Sequence, residues 1–260
     1  MMRLILASLG LATVTAVALV LILGREGTPR AGAPEPPLPP APAPAFVVSA
    51  PRPLVEEHPT ARWSPILRSV ALRSRPSSTA PVRETLDPRT PEGTQNLVLV
   101  RSRTVGADGR LWISVAGPGR PGQGAGWVPR RALGRYHPVT TRLVVDRAAF
   151  TATLYRGGRV VARFPVGVGV ASSPTPSGHF YVRNRLTRYR NAFYGPVAFG
   201  TSVRSPYLTD WPDGGFVGIH GTDRPDLLPG RVSHGCIRLR NEDVLRLARV
   251  MPVGTPITIR

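Results

Sequence analysis

The chain has 260 residues and a formal net charge of +19, and its 30 prolines and 27 glycines exclude a helical bundle in favour of loops, linkers and β structure. A single cysteine excludes an intramolecular disulfide, and arginine replaces lysine throughout. The charge indicates a polyanionic partner or a GC-rich genome, but no DNA- or RNA-binding motif accompanies it, so we predict no nucleic acid partner.

The N-terminal segment is apolar. Leu4–Leu23 carries no charged side chain and has about the length that a helix needs to cross a bilayer. A cleaved signal peptide has a shorter apolar core and ends at a small-x-small site. Ala31–Ala33 fits such a site but lies beyond the charged Arg25 and Arg30. We therefore predict that residues 1–27 form an uncleaved transmembrane anchor in the cytoplasmic membrane, with cleavage and secretion to the cell wall as the alternative.

Residues 28–64 are predicted to be a linker. Pro34–Pro44 alternates proline with alanine almost without interruption. Such a composition is extended and stiff, and it cannot form a packed core. The linker would hold the following domains away from the membrane.

Residues 65–137 are predicted to be a small all-β domain. Apolar or alternating runs separated by turn residues indicate its strands, namely Val70–Arg73, Asn96–Val100, Leu111–Val115 and Gly126–Val128. The opening L-R-x-x-P-S, the central W-x-x-V and the closing G-W-V resemble a bacterial SH3-like β-barrel, with Trp112 and Trp127 in its core or cleft. That resemblance implies a module that binds wall peptides or packs beside a catalytic domain, and a spacer without a ligand is the alternative.

Residues 138–260 are predicted to form a second, β-rich domain. Its strands are expected at Arg142–Asp146, Thr151–Tyr155, Val160–Val170, His179–Val182 and Pro256–Arg260, with a Gly157-Gly158 hairpin turn. One helix is expected over Asn241–Val250, with Asn241 as its N-cap. Its apolar face is predicted to comprise Val244, Leu245, Leu247 and Ala248.

The residues that could take part in a chemical reaction are concentrated in the second domain. A thiolate nucleophile needs a base, donors for an oxyanion and a group that orients the substrate. His234 precedes Cys236 by two residues, so both side chains would share a face if this segment were extended. We therefore predict His234 as a second catalytic residue that polarises the thiolate or binds substrate. Gly235 permits close approach of backbone amides to an oxyanion, and the planar guanidinium of Arg238 can bind a carboxylate. Two histidines and a cysteine also suit zinc, but no CxxC or HxxxH pair is present, so we predict no metal site.

The order His220, then Ser-His-Gly-Cys at 233–236 and Arg238, resembles the signature of the YkuD-like L,D-transpeptidases of the bacterial cell wall. The T-P-x-G-x-F-Y pattern at 175–181 extends the resemblance over the whole of residues 138–260. It implies a mostly β catalytic fold with one C-terminal helix. It also implies Cys236 as nucleophile and His220 as general base, with the carbonyl of Gly221 orienting the imidazole.

The resemblance implies a reaction that requires no ATP, metal or cofactor. The thiol would attack a peptidoglycan stem tetrapeptide, release D-alanine and transfer the acyl group to an amine, forming a 3-3 cross-link. Water as acceptor, attachment of a protein to the wall and a non-catalytic wall-binding protein are the alternatives. Besides stem peptides, the expected partners are the cytoplasmic membrane and anionic wall polymers. We assign substrate binding to Arg238, Ser233, Gly221 and Tyr194, whereas Phe193 and Phe199 are expected in the core.

Overall fold

The computed structural model describes residues 52–53, 61–187, 191–205, 207 and 215–260. The described chain is mostly β and contains one α-helix, as predicted. Among these residues, no helix is both long and apolar enough to span a membrane. The predicted anchor at 1–27 lies outside the described residues.

The first sheet has the strand order β4-β3-β7-β6-β5-β2-β8, and β1 also pairs with β5. Its strands are β1 (Arg52–Pro53), β2 (Ala61–Pro65), β3 (Val70–Arg73), β4 (Val82–Leu86), β5 (Leu97–Val105), β6 (Leu111–Ala116), β7 (Ala125–Pro129) and β8 (His137–Val139). A short 3-10 helix, Arg130–Ala132, precedes β8. The strands predicted here from the sequence are present, and Trp112 is buried while Trp127 is half-buried. The SH3-like classification stays a prediction.

This sheet begins earlier in the chain than the predicted boundary between linker and domain. β2 starts at Ala61, inside the segment predicted as linker, and pairs with both β5 and β8. This strand joins the sheet because its side chains pack against the last strand of the domain. The Trp63 ring stacks on His137 of β8 with ring centroids 4.2 Å apart.

The second sheet has the order β11-β10-β9-β18-β13-β14-β15-β17-β12-β16. Its strands are β9 (Thr141–Asp146), β10 (Thr151–Arg156), β11 (Arg159–Pro165), β12 (Gly167–Gly169), β13 (Gly178–Leu186), β14 (Ala198–Arg204), β15 (Phe216–His220), β16 (Gly230–Ser233), β17 (Ile237–Arg238) and β18 (Pro256–Ile259). Gly157 and Gly158 both have positive φ, as the predicted hairpin turn requires.

The helix α1 spans Asn241–Val250, the range that the sequence predicts, but two details of the prediction are wrong. Arg240 is the N-cap residue, and Asn241 is already helical. Leu245 is 42% exposed, because the helix buries Val244 and Leu247, and the buried C-cap residue Met251 continues the same face. This face packs into the core of the second sheet, next to the strands that carry the candidate site.

Candidate active site

Cys236 lies in the connection between β16 and β17. It is 8% exposed, and its Sγ accepts a hydrogen bond from the backbone amide of Gly218 at 3.3 Å. Ile237, the next residue, pairs with Ile219 of β15. The parallel pairing of β15 with β17 therefore sets the thiol beside Gly218, two residues before His220 on the same strand.

The turn that presents Cys236 is closed by Ser233. The buried Ser233 hydroxyl accepts from the Gly235 amide at 3.1 Å and donates to the Cys236 carbonyl at 2.6 Å. Gly235 has a φ of 126°, in the region that favours glycine. The Ser233 hydroxyl and the Gly235 amide are thus both engaged within the turn, and their predicted contacts with substrate and oxyanion stay predictions.

The chain bends at residues 234–235, so the alternation expected for an extended segment does not apply there. His234 is exposed while Cys236 is buried, and the two side chains do not share an environment. The backbone of His234 is held by a separate loop, since its carbonyl accepts a hydrogen bond from the Ser173 hydroxyl at 2.6 Å. The loop before β13 that carries the T-P pattern therefore supports the cysteine turn.

His220 ends β15 and is fully buried. Its Nδ1 lies 2.6 Å from the Gly221 carbonyl oxygen. A carbonyl only accepts hydrogen bonds, so Nδ1 carries the proton and Nε2 presents its lone pair. Nε2 is buried and has no hydrogen-bond partner within the described residues. The ring is thus held as a neutral imidazole with a vacant proton-accepting nitrogen.

Burial lowers the pKa of His220 to about 4, because an imidazolium loses its hydration there. The hydrogen bond with Gly221 acts in the opposite direction, and the positive charge of Arg238 lowers the pKa further. Arg238 is the register partner of His220 across β15 and β17. The His220 imidazole is therefore neutral at physiological pH.

Aromatic side chains from the 3-10 helix Ala192–Tyr194 pack against the His220 imidazole. The Tyr194 ring meets the His220 ring edge-on, with centroids 4.9 Å apart. Phe193 is 38% exposed, so the expectation of a core position is wrong for it, whereas Phe199 is buried as expected. The Arg238 guanidinium stacks over the Phe193 ring at 4.5 Å, and its Nε is buried without a hydrogen-bond partner in the described part of the chain. The structure thus brings Tyr194 and Arg238 together with His220.

Residues 140–259 match the family described as YkuD, the L,D-transpeptidase catalytic domain. The Bacillus subtilis protein YkuD, assigned to the L,D-transpeptidases, is 34% identical over 123 residues, which are 47% of this chain and 68% of that protein. The B. subtilis protein YqjB, assigned likewise, is 30% identical over 125 residues and 69% of its length. The chain belongs to the YkuD family of L,D-transpeptidase catalytic domains.

A solved structure, the catalytic domain of an Enterococcus faecium L,D-transpeptidase, is similar at 27% identity with a TM-score of 0.37. The alignment covers 46% of this chain and 96% of that domain. The family match begins at residue 140, so the first sheet lies outside it.

The YkuD domain here contains two site residues that the sequence analysis missed. Asn241, assigned there as a helix cap, instead accepts from the Thr222 amide at 3.0 Å and so fixes the turn that follows His220. A side chain on Gly195 or Gly221 would collide with the Asn241 amide oxygen. Gly218 is the other missed residue, because its function resides in a backbone amide that has no sequence signature.

No group of three or more histidine, cysteine, aspartate or glutamate side chains could hold a metal ion among the residues for which the structure gives a description. The site residues instead assemble a thiol, an amide donor to its sulfur, a neutral imidazole and a guanidinium. This set matches the needs of acyl transfer through a thioester.

Proposed function

We propose that the protein is a cysteine-dependent L,D-transpeptidase acting on peptidoglycan stem peptides. The observation that carries the proposal is the state of His220, which is buried and neutral with Nε2 unpartnered among the described residues, in the strand that donates to the Cys236 sulfur. Membership of the YkuD family supports the same reaction.

In the first half-reaction, His220 Nε2 takes the proton of the Cys236 thiol. The thiolate attacks the carbonyl carbon of the third stem residue, and a tetrahedral oxyanion forms. When the peptide C–N bond breaks, the proton on His220 passes to the amine of the departing D-alanine, and a thioester remains on Cys236. Backbone amides of the cysteine turn are the candidate donors of hydrogen bonds to the oxyanion. Stabilisation of the oxyanion is usually the largest single contribution to catalysis of acyl transfer.

In the second half-reaction, an amine of a neighbouring stem attacks the thioester, and His220 takes one of its protons. The C–S bond breaks, a new amide forms and the thiol recovers its proton from the imidazolium. Arg238, with its buried Nε, is assigned to hold a substrate carboxylate next to Phe193. Tyr194 lies against the base and is assigned to the wall of the same cleft.

We further propose that these steps take place outside the cytoplasmic membrane, with the chain held there by Leu4–Leu23. The net charge of +19 favours anionic wall polymers as additional partners.

The test is incubation of the purified protein with a disaccharide-tetrapeptide, followed by mass spectrometry. A cross-linked dimer with released D-alanine, absent in Cys236→Ala, is the expected result. Tripeptide alone would make the protein an L,D-carboxypeptidase, in which water replaces the amine. An unchanged tetrapeptide, with a protein whose Cys236 still reacts with iodoacetamide, would overturn the proposal.

A further inference from the structure

The first sheet contacts the catalytic sheet through a buried polar cluster formed by Glu92, Arg183 and Asn184. Glu92 belongs to the loop between β4 and β5, and its Oε1 accepts from Arg183 Nη2 at 2.5 Å. Its Oε2 accepts from Asn184 Nδ2 at 3.1 Å. The side chains of Arg183 and Glu92 are 2% and 7% exposed. Charges so deeply buried are kept only when they are paired.

A β-bulge allows two consecutive residues of β13 to reach the same carboxylate. Successive side chains of a regular strand point to opposite faces of the sheet. The pairing of β13 with β14 shifts register between Val182 and Asn184, so that Arg183 is the extra residue. A bulge re-aims side chains in this way, and bulges are frequent next to active sites.

From Asn184 the cluster continues to the catalytic strands. Asn184 Oδ1 accepts from the Gly200 amide of β14 at 3.0 Å, and a side chain at Gly200 would collide with that oxygen. Gly200 is the register partner of Gly218 in β15. The Gly218 amide in turn donates to Cys236 Sγ.

The two glycines direct their amides away from each other, Gly200 to Asn184 and Gly218 to Cys236. This is the arrangement of a non-hydrogen-bonded pair in an antiparallel ladder, in which the Cα atoms are only about 4.5 Å apart. A displacement of Gly200 is therefore transmitted to Gly218 by direct backbone contact.

The first sheet also contacts β14 at a second place, through the loop between β6 and β7. The loop between β6 and β7 is longer than a tight hairpin requires, and Gly119 in this loop pairs with the backbone of β14. Its amide donates to the Ser202 carbonyl at 2.9 Å, and its carbonyl accepts from the Arg204 amide at 3.0 Å. The contacts of the first sheet thus fix β14 both before and after Thr201 in the sequence. Thr201 Oγ1 itself donates to the Val217 carbonyl of β15 at 2.7 Å.

We propose that Glu92 and Asn184 are positioning residues for the nucleophile, and that the first sheet, through them, holds the Gly218 amide on the Cys236 sulfur. This rests on the proposed function only in taking Cys236 as the nucleophile. An amide aimed at sulfur stabilises the thiolate more than the thiol, because hydrogen bonds to a charged acceptor are the stronger ones. The first sheet is then part of the catalytic apparatus and more than a spacer or a wall-binding module.

The test compares Asn184→Ala with Glu84→Gln in the full chain. Asn184→Ala removes the acceptor of the Gly200 amide. Glu84→Gln is the matched control, because Glu84 also pairs across the two sheets, with Arg204 at 3.2 Å. The hydrogen bonds of Asn184 in the described structure go instead to Thr90, Glu92, Thr94 and Gly200. His220, His234 and Arg238 are unchanged in both variants. The thiolate is followed by its ultraviolet absorbance against pH, with Cys236→Ala as blank.

We expect Asn184→Ala to move the thiolate titration to higher pH and to slow alkylation by iodoacetamide at pH 7 by about threefold to tenfold, since one pKa unit changes the thiolate fraction about tenfold. The kcat of peptide turnover should fall with KM unchanged. Glu84→Gln should titrate like the wild type. If Asn184→Ala fails to fold, Glu92→Asp takes its place, because it keeps the charge beside Arg183 and shortens the reach to Asn184.

A folded variant with reduced thermal stability and a wild-type thiolate titration would show that the cluster only stabilises the packing of the two sheets. That result would overturn the proposal. An equal shift in Glu84→Gln would overturn it as well. The titration requires no substrate, so it gives its answer even if the protein forms no cross-links.

Discussion

The burial of His220 determines which protonation state of its imidazole is present at rest. An imidazolium at this position would lack hydration and would face the charge of Arg238, so the neutral ring is favoured over the physiological range. In the proposed reaction, proton transfer from Cys236 creates a thiolate at the same time as the imidazolium. The opposite charges then stabilise each other where neither would be stable alone.

We predict that His220→Ala loses most of its turnover of donor tetrapeptide, because general-base assistance is typically worth about 10²–10⁴-fold. His234→Ala should lose less, because the His234 side chain is exposed and only its backbone carbonyl is bonded, to Ser173. Raising the pH should partly restore His220→Ala, since hydroxide then generates the thiolate without the imidazole.

The measurement is turnover against pH for both variants, with folding verified by circular dichroism. His179→Ala serves as control, because His179 is also exposed and lies away from the cysteine turn, beside Thr258. If His234→Ala is the inactive variant that high pH restores, the two histidines have the opposite roles. If both variants are nearly as active as wild type, the cysteine-histidine mechanism is wrong.

At the scale of single elements, the residues that act through neighbouring chain positions were predictable. The Gly221 carbonyl adjoins His220 in the chain, and its predicted contact with the imidazole is present. Asn241 was misassigned because a helix cap and a loop acceptor have the same sequence signature, namely an asparagine at the start of an amphipathic helix. Only the fold shows that its oxygen points to Thr222 instead of to the helix amides.

We predict that Asn241→Ala lowers kcat, because the Thr222 amide loses its acceptor and the Gly221 carbonyl is then less firmly oriented toward His220. The loss of the hydrogen bond should cost about 1 kcal/mol of folding stability. Asn241→Asp keeps the accepting oxygen and is the control that should retain both properties. Turnover and thermal melting of the two variants decide the matter, and an active, equally stable Asn241→Ala would contradict the assignment.

At the scale of the whole molecule, several strands of each sheet were predictable from their own pattern, but β14 to β17, which carry the candidate site, and the junction of the sheets were not. Tyr181 of β13 is fully buried and donates to the Leu97 carbonyl of β5 at 2.9 Å. Asn184 and Glu92 meet although 92 residues separate them in the sequence. No local periodicity encodes such a contact, and the bulge that makes it possible depends on the pairing of β13 with β14.

Two features of the sequence favour the membrane, and they differ in their response to salt. A charge of +19 is attracted to anionic lipid and wall polymers, an attraction that salt screens, because the Debye length falls to about 3 Å at 1 M ionic strength. Burial of the apolar side chains of Leu4–Leu23 in a bilayer does not depend on such screening.

We therefore predict that the exported protein remains in the membrane fraction after a high-salt wash and is released by detergent. A purified chain shortened to begin after residue 27 and mixed with isolated membranes is the control, because it keeps nearly all of the positive charge and lacks the apolar segment. That shortened chain should be released by salt alone. N-terminal sequencing of the exported full-length protein completes the test. A mature N-terminus near Glu35, in a protein that salt releases, would mean that Ala31–Ala33 is a cleavage site and that charge alone keeps the enzyme at the wall.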